Sequence, residues 1–224
     1  MQLCLFSQNQ TPRSDSANLE PSEPFKFWSP GANRSCAFYI QGPKGWASTI
    51  SLRFSGSAAK DGRPPSVATP LFTGGDFDST FNDNRTLMVT PPQMPLPRVH
   101  AEKVQLSFII SGHGECEFMP TTHVFAVNGV EFKWTSEGVA GTAMGCSTHA
   151  REGRVQPNEH GTWYTGRNGW CNGADVPVHL FDVTAAANTR TPVNVTYRGT
   201  AARGKEPGAQ GGNIVLSSVL AWTF

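Results

Sequence analysis

Short strand-like runs separated by turn residues dominate the chain from Val67 to its C-terminus. A single stretch, Val183 to Ala187, has the composition of a helical turn. The pair Asn128-Gly129 is typical of a two-residue hairpin turn. The predicted strands cover Thr86 to Val89, Lys103 to Ile110, His123 to Val127, Val130 to Trp134, Val176 to Asp182, Val193 to Tyr197 and Ile214 to Trp222. This spacing predicts an all-β protein, folded as an antiparallel sandwich or jelly roll.

The first 65 residues differ in composition from the rest. Residues 1–35 are rich in Ser, Pro, Asn and Gln and predict an irregular leader. Residues 36–65 hold two strand-like runs, Cys36 to Ile40 and Ile50 to Phe54, followed by linker sequence at Lys60 to Pro65. Residues 66–224 are numerous enough to bury a core of their own. The sequence therefore predicts three segments, 1–35, 36–65 and 66–224.

The charge balance excludes some classes of partner. Lys and Arg number 18 and Asp and Glu 17, a formal net charge of +1, so no basic surface is expected to attract nucleic acid. No apolar run approaches the ~18 residues that a membrane helix requires. Residues 1–14 also lack the apolar core of a signal peptide. We therefore expect no nucleic-acid partner, no membrane span and no export signal in this sequence.

A first candidate site follows the apolar run Val104 to Ile110. The segment Ser111-Gly-His-Gly-Glu-Cys-Glu-Phe118 places His113, Glu115 and Glu117 among glycines. Such a segment at the end of a strand predicts a loop that displays functional groups. The alternative is a tight turn whose acids are simply solvated.

A second candidate site is the Gly-rich segment at residues 161–171. It holds Trp163, Tyr164, Arg167 and Trp170. Exposed aromatic rings beside a fixed guanidinium suit the apolar faces and polar edges of sugars. The alternative is that both tryptophans anchor the core.

Other common catalytic motifs do not occur. The six histidines form no H-x-H or H-x-x-x-H pair, so no metal or cofactor is expected. The sequence contains no phosphate-binding loop, no G-x-S-x-G and no C-x-x-C.

Five cysteines allow at most two disulfides and leave one thiol over, and their spacing alone does not assign the pairs.

Taken in order, the candidate segments resemble the C-terminal domain of the peptide:N-glycosidase F family. The resemblance runs from Lys103 to Phe224, with weaker similarity at Thr69 to Asp78. It rests on Ile110-Ser-Gly-His-Gly, Cys116-Glu-Phe118, Thr122-His-Val-Phe-Ala-Val-Asn128, Gly145-Cys146, Gly161-Thr-Trp163, Arg167-Asn-Gly-Trp-Cys-Asn-Gly173 and Leu216-Ser-Ser-Val-Leu220.

The resemblance implies a fold of two eight-stranded jelly rolls, shared with the copper-dependent peptidylglycine monooxygenases. It implies hydrolysis of the amide that links an N-glycan to asparagine, without a metal or cofactor, in a cleft between the two domains. N-glycans or glycopeptides are then the expected partners, and a secretory or extracellular location is expected by the same resemblance.

The resemblance also assigns roles to individual residues. The family's second-domain glutamate and arginine fall on Glu117 and Arg167, which makes these two the candidate catalytic residues. His113, Trp163 and Trp170 are the candidate substrate-binding residues. The family pattern pairs Cys146 with Cys171 in a disulfide that clamps the Arg167 segment. A second family disulfide is not reproduced, because Met119 occupies one of its positions, so Cys116 is expected to be free or to pair with Cys36 or Cys4.

The sequence departs from the family before residue 66. Residues 1–65 are too few for a complete first jelly roll, so the strands and linker at 36–65 are expected to be a remnant of a preceding domain. The segment Phe38 to Gln41 lacks the family's first-domain glutamate. We therefore expect a truncated or fragmentary family member with weak or no activity, whose strands at 36–56 favour self-association. One alternative is a jelly-roll module that binds glycans or proteins. A weaker alternative, by fold analogy, is a copper-dependent monooxygenase-like domain.

Overall fold

A computed structural model of the chain describes residues 25–27, 34–36, 67–93, 100–153, 164–172, 174, 176–208 and 211–224. The chain separates into two compact units, Gln2–Phe54 and Ser55–Phe224. In the first unit, β1 (Phe25–Phe27) pairs antiparallel with β2 (Arg34–Cys36). The segment 1–35, expected to be an irregular leader, thus contains β1 and the first two residues of β2. The predicted strand Ile50 to Phe54 lies outside the described residues, so the remnant domain and the self-association stay predictions.

Among the described residues of the second unit, eight strands form two four-stranded sheets, and every pair is antiparallel. One sheet has the order β3-β10-β5-β8 and the other β4-β9-β6-β7. Their bounds are Val67–Asp76 (β3), Thr86–Val89 (β4), Lys103–Gly114 (β5), Thr121–Val127 (β6), Val130–Thr135 (β7), His179–Asp182 (β8), Val193–Ala201 (β9) and Gly212–Thr223 (β10).

The strand order identifies the architecture. Counted within this unit, the first, eighth, third and sixth strands form one sheet, and the second, seventh, fourth and fifth form the other. This interleaving of two sheets is the topology of an eight-stranded jelly roll. The predicted all-β sandwich is confirmed. Within the described part of the chain, no helix is long and apolar enough to cross a membrane.

The hairpin between β6 and β7 forms at the predicted turn. Asn128 and Gly129 have φ angles of 48° and 87°, and Val127 pairs with Val130. Positive φ at both central residues is the signature of a type I′ turn, which matches the twist of the flanking strands. The Asn128 amide also donates to the Ala186 carbonyl at 2.9 Å. The turn is therefore fixed to the predicted helical turn, which is α2 (Thr184–Ala187).

Alternate residues of the strands form the core between the sheets. In β9, Val193, Val195 and Tyr197 are buried. Across the sandwich, the ring centroids of Phe108 and Phe125 lie 5.0 Å apart. Period-two burial of this kind is what strand geometry produces when one face of a sheet packs on another.

Several features of the second unit differ from the prediction. β8 begins at His179 and not at Val176. β3 was not predicted, because Pro70 and two glycines interrupt its pattern. It lies at the edge of its sheet, where proline is tolerated. A second helical turn, α1 (Ser147–Arg151), exists where none was expected. β5 continues through the predicted loop as far as Gly114.

Candidate functional site

The first candidate segment is a strand end followed by a tight turn. His113 lies in β5 and pairs with Asn213 of β10, so the expected loop at Ser111 to Gly114 is wrong. The turn follows, with the Cys116 and Glu117 amides donating to the carbonyls of His113 and Gly114 at 3.1 and 3.0 Å. Gly114 has a φ of +59°, and a Cβ there would lie 2.2 Å from a backbone oxygen. The turn therefore requires glycine, and it places Glu117 at the end of the sheet.

Main-chain hydrogen bonds hold the Arg167 segment beside this turn. The Asn168 amide donates to the Glu117 carbonyl at 2.7 Å, and the Gly112 amide donates to the Asn168 carbonyl at 2.8 Å. On the other side, the Gly166 amide donates to the Thr142 carbonyl at 2.8 Å. The segment is thus bonded to the end of β5 and to the loop after β7. This bonding places Arg167 next to Glu117.

Arg167 and Glu117 form an ion pair of unequal exposure. The distance from Arg167 Nη1 to Glu117 Oε1 is 2.6 Å, and the side chains are 1% and 20% exposed respectively. The guanidinium carbon also lies 4.9 Å from the ring centroids of Phe118 and Trp170. An arginine packed between two rings is attracted to their π faces. The guanidinium is thus enclosed, whereas the carboxylate remains accessible to water.

Aromatic side chains lie beside the ion pair. The Trp170 indole donates to the Gly112 carbonyl at 3.0 Å, and its ring stacks on His113 with centroids 5.5 Å apart. Burial lowers the pKa of His113, although the nearby charge of Glu117 opposes this effect. The His113 ring is therefore neutral near pH 7. Phe118 and Tyr164 are 40% and 41% exposed. The candidate residue Trp163 lies outside the described residues.

One of the cysteine pairs implied by the resemblance is present. Cys146 and Cys171 form a disulfide, as predicted, which connects the start of α1 to the end of the Arg167 segment. Cys116 is buried, and within the described ranges it has no disulfide partner. Burial is the main cause that raises the pKa of its thiol to about 11. Because the thiolate is the reactive form, Cys116 is expected to be inert.

Loss of the disulfide is expected to destabilise the sandwich. The double variant Cys146→Ser, Cys171→Ser removes a cross-link between residues 25 positions apart. A loop of this length predicts a loss of about 3 kcal/mol in the free energy of unfolding. Urea unfolding followed by tryptophan fluorescence measures it, with Cys116→Ala as the matched control for cysteine removal. A double variant no less stable than that control would contradict the expectation.

Asn168 is a residue that sequence reasoning did not single out. It is 1% exposed, and its side chain bonds to three parts of the fold: the Cys116 carbonyl, Thr121 and Ser136. Its position directly after Arg167 was visible in the sequence. Its partners were not, because they lie 32 to 52 positions away along the chain.

Comparisons with known proteins identify the family of this chain. The family model for the C-terminal domain of peptide-N-glycosidase F matches residues 80–221. A crystal structure of peptide-N(4)-(N-acetyl-β-D-glucosaminyl)asparagine amidase matches with 20% identity and a TM-score of 0.44, covering 70% of this chain and 51% of its own. The structure of PNGase F from Flavobacterium meningosepticum, described as a glycosylasparaginase, matches with 20% identity and a TM-score of 0.43. The match covers 70% of this chain and 51% of that structure's chain. The structure of PNGF-II matches with 17% identity and a TM-score of 0.44, and the match covers 71% of this chain and 30% of that structure's chain.

The matches cover most of this chain but only part of the longer solved structures. The chain spans about half the length of the first two solved structures and 30% of the length of PNGF-II. No curated protein sequence gives a significant match. The family model, however, covers more than half of the chain and includes Glu117, Arg167, Trp170 and both disulfide cysteines. The chain therefore belongs to the peptide:N-glycosidase F family, through that family's C-terminal domain.

Proposed function

We propose that this chain binds N-glycopeptides at the surface around Glu117, and that Glu117 is the carboxylate that acts on the amide between glycan and asparagine. The observation that carries the proposal is the 2.6 Å contact between a buried Arg167 and a partly exposed Glu117. Family membership supports the substrate class. For this chain we propose glycopeptide binding with weak hydrolysis, and not the full activity of the longer relatives.

The geometry suits a carboxylate that orients water. Hydrolysis of an amide requires a group that positions or deprotonates the attacking water. Arg167 binds Oε1 of Glu117, so the carboxylate has a fixed orientation and its other oxygen is left for water or substrate. Such fixed placement of a reacting group lowers the entropic part of the barrier. Because Arg167 is 1% exposed, it acts through Glu117 and does not touch the substrate.

The aromatic side chains suit the sugar. The rings of Phe118 and Trp170 lie 4.9 Å from the guanidinium carbon of Arg167, and Tyr164 is exposed three residues before Arg167. Apolar ring faces pack well against the C–H faces of sugars. Stacking on His113 and the indole hydrogen bond fix the orientation of Trp170. A preformed aromatic surface loses little conformational entropy on binding. We therefore assign glycan recognition to these rings.

We propose weak turnover for the chain alone. Acid–base catalysis of amide hydrolysis requires a proton donor for the leaving nitrogen as well as a base for water. The sequence offers no match to the family's first-domain acids, so the second group of the pair is not assigned to any residue of this chain. Binding is accordingly the property expected to be strong.

Binding is tested by calorimetric titration with an N-glycopeptide and with the same peptide lacking its glycan. The wild type is expected to prefer the glycopeptide, and Trp170→Ala is expected to weaken binding about tenfold by removing an aromatic anchor. Glu117→Gln keeps the shape of the side chain and is expected to bind within about threefold of the wild type. A wild type that does not distinguish the two peptides would contradict the proposal.

Chemistry is tested separately, by mass spectrometry of the glycopeptide after long incubation. A slow conversion of the linked asparagine to aspartate, absent in Glu117→Gln, supports hydrolysis. Binding without any conversion favours the second candidate, a glycan-binding module, which the exposed rings of Phe118 and Tyr164 also support. The copper-dependent alternative gains no support from the described residues, in which no three His, Cys, Asp or Glu side chains cluster.

A further inference from the structure

A row of buried polar side chains leads from the candidate site into the core. It begins at Asn168, whose Nδ2 donates to the Cys116 carbonyl at 3.2 Å. Asn168 Oδ1 accepts from the hydroxyls of Thr121 at 3.0 Å and Ser136 at 2.7 Å. Thr121 and Ser136 are 0% and 2% exposed. Each of these hydrogen bonds is therefore made away from bulk water, where an unsatisfied group would be costly.

The row continues through β6 to β9. Thr121 Oγ1 lies 2.8 Å from His123 Nε2, and His123 Nδ1 lies 2.6 Å from the Tyr197 hydroxyl. His123 is 0% exposed and its ring stacks on Tyr197, with an interplanar angle of 6°. We name the four side chains of Asn168, Thr121, His123 and Tyr197 the polar row.

The hydrogen-bond partners fix the direction of every donor in the polar row. Because a carbonyl only accepts, the Asn168 group that faces Cys116 is the NH₂, and Oδ1 must be the acceptor for Thr121. The Thr121 hydroxyl proton is then used, so Thr121 Oγ1 accepts from His123 Nε2–H. His123 Nδ1 in turn accepts from Tyr197. Burial lowers the pKa of His123 to about 3, in agreement with this neutral tautomer.

Asn168, at the outer end of the polar row, is bonded to the backbone that carries the ion pair. Asn168 directly follows Arg167, and its amide donates to the Glu117 carbonyl at 2.7 Å. Its side chain binds the Cys116 carbonyl, one residue before Glu117. Both halves of the ion pair are thus held by Asn168, and Asn168 is oriented by side chains of β6 and by Ser136 after β7.

We propose that Asn168, oriented by the Thr121 hydroxyl, is a positioning residue that sets where the Glu117 carboxylate stands relative to a bound glycopeptide. This inference rests on the proposed function. No residue of the polar row touches substrate. Its contribution is to hold the turn and the Arg167 segment in one arrangement, so that the carboxylate and the aromatic rings meet the ligand together.

The test uses two variants of Thr121 in the full chain. Thr121→Val has nearly the same shape but lacks the hydroxyl, so Asn168 loses a donor and His123 loses its acceptor. Thr121→Ser keeps the hydroxyl and serves as the rescue. Val195→Ala, in the core of β9 and outside the polar row, is the matched control for general destabilisation. Ser136→Ala, which removes the other donor to Asn168, replaces Thr121→Val if that variant does not fold.

Two readouts are measured where all variants are folded. The first is the dissociation constant for the N-glycopeptide, and the second is hydrogen exchange of the Gly112 and Asn168 amides, which bond across the site. Thr121→Val is expected to weaken binding and to accelerate exchange at these two amides about tenfold. Thr121→Ser and Val195→Ala are expected to leave both readouts close to the wild type.

The outcomes separate this inference from the proposed function. If the wild type binds the glycopeptide and Thr121→Val changes neither readout, the positioning role is overturned. If the wild type does not bind but exchange at Gly112 and Asn168 rises in Thr121→Val and recovers in Thr121→Ser, the proposed function fails while the role of Thr121 in holding the segment is supported. Equal effects of Val195→Ala and Thr121→Val on both readouts would also overturn the positioning role.

Discussion

Arg167→Met is expected to lower the free energy of unfolding by about 3 kcal/mol and to abolish glycopeptide binding. The guanidinium is 1% exposed and binds Glu117 at 2.6 Å, so its removal leaves a carboxylate that is only 20% exposed without its cation. This loss of free energy is at the lower end of the range for a broken buried ion pair. The reason is that the Glu117 side chain is 20% exposed, so water can partly hydrate the carboxylate once the guanidinium is gone. Equilibrium urea unfolding and glycopeptide titration measure the two effects.

A double variant provides the control for this interpretation. Arg167→Met combined with Glu117→Leu removes both charges and fills the space with apolar side chains, which is often close to neutral for a buried pair. We expect most of the lost stability to return in the double variant, while binding does not. If the double variant were as unstable as Arg167→Met, the loss would come from packing between Phe118 and Trp170 and not from the isolated carboxylate.

Phe108→Ala is expected to be more destabilising still, by about 3–5 kcal/mol. Phe108 is 1% exposed, and its ring lies 5.0 Å from Phe125 of the opposite sheet and 5.1 Å from His179 of the neighbouring strand. Truncation leaves a cavity between the two sheets, because the surrounding strands can relax only partly to fill the space of the lost ring. Thermal and urea unfolding of the purified variant measure the loss.

The matched control lies on an adjacent strand. Leu180 of β8 is 58% exposed, and its strand partner in β5 is Ser107, next to Phe108. Leu180→Ala removes a large side chain from the same sheet without opening a cavity, so a change within about 0.5 kcal/mol is expected. Similar losses in the two variants would mean that strand propensity, and not packing, accounts for the effect of Phe108→Ala.

Local chemistry explains which parts of the fold could be predicted. The hairpin at Asn128-Gly129 was predictable because two residues with positive φ determine the turn by themselves. β3 was not, because Pro70 and Gly74 are typical of loops. A Cβ on Gly74 would lie 1.7 Å from the Ile214 carbonyl, so the glycine permits a close approach to β10, which is far away in sequence. Sequence pattern alone does not reveal such contacts.

The same distinction applies to the site. The resemblance correctly predicted that Cys146 pairs with Cys171, and it placed Glu117 and Arg167 together, although their catalytic roles stay predictions. Gly112 favoured a loop, whereas it lies in β5 so that Asn168 can pack against it. The bonds from Asn168 to Thr121 and Ser136 depend on the packing of the two sheets. Residue types and spacing carry no signal for these bonds.

Closely packed glycines beside the Arg167 segment restrict how this part of the backbone can change during evolution. Added methyl groups at Gly145 and Gly166 would lie 2.2 and 1.7 Å from the Val139 carbonyl. Variation is therefore expected at exposed side chains such as Phe118 and Tyr164, which are 40% and 41% exposed. Homologues that select different glycans should accordingly diverge at those outer positions while retaining the same backbone underneath.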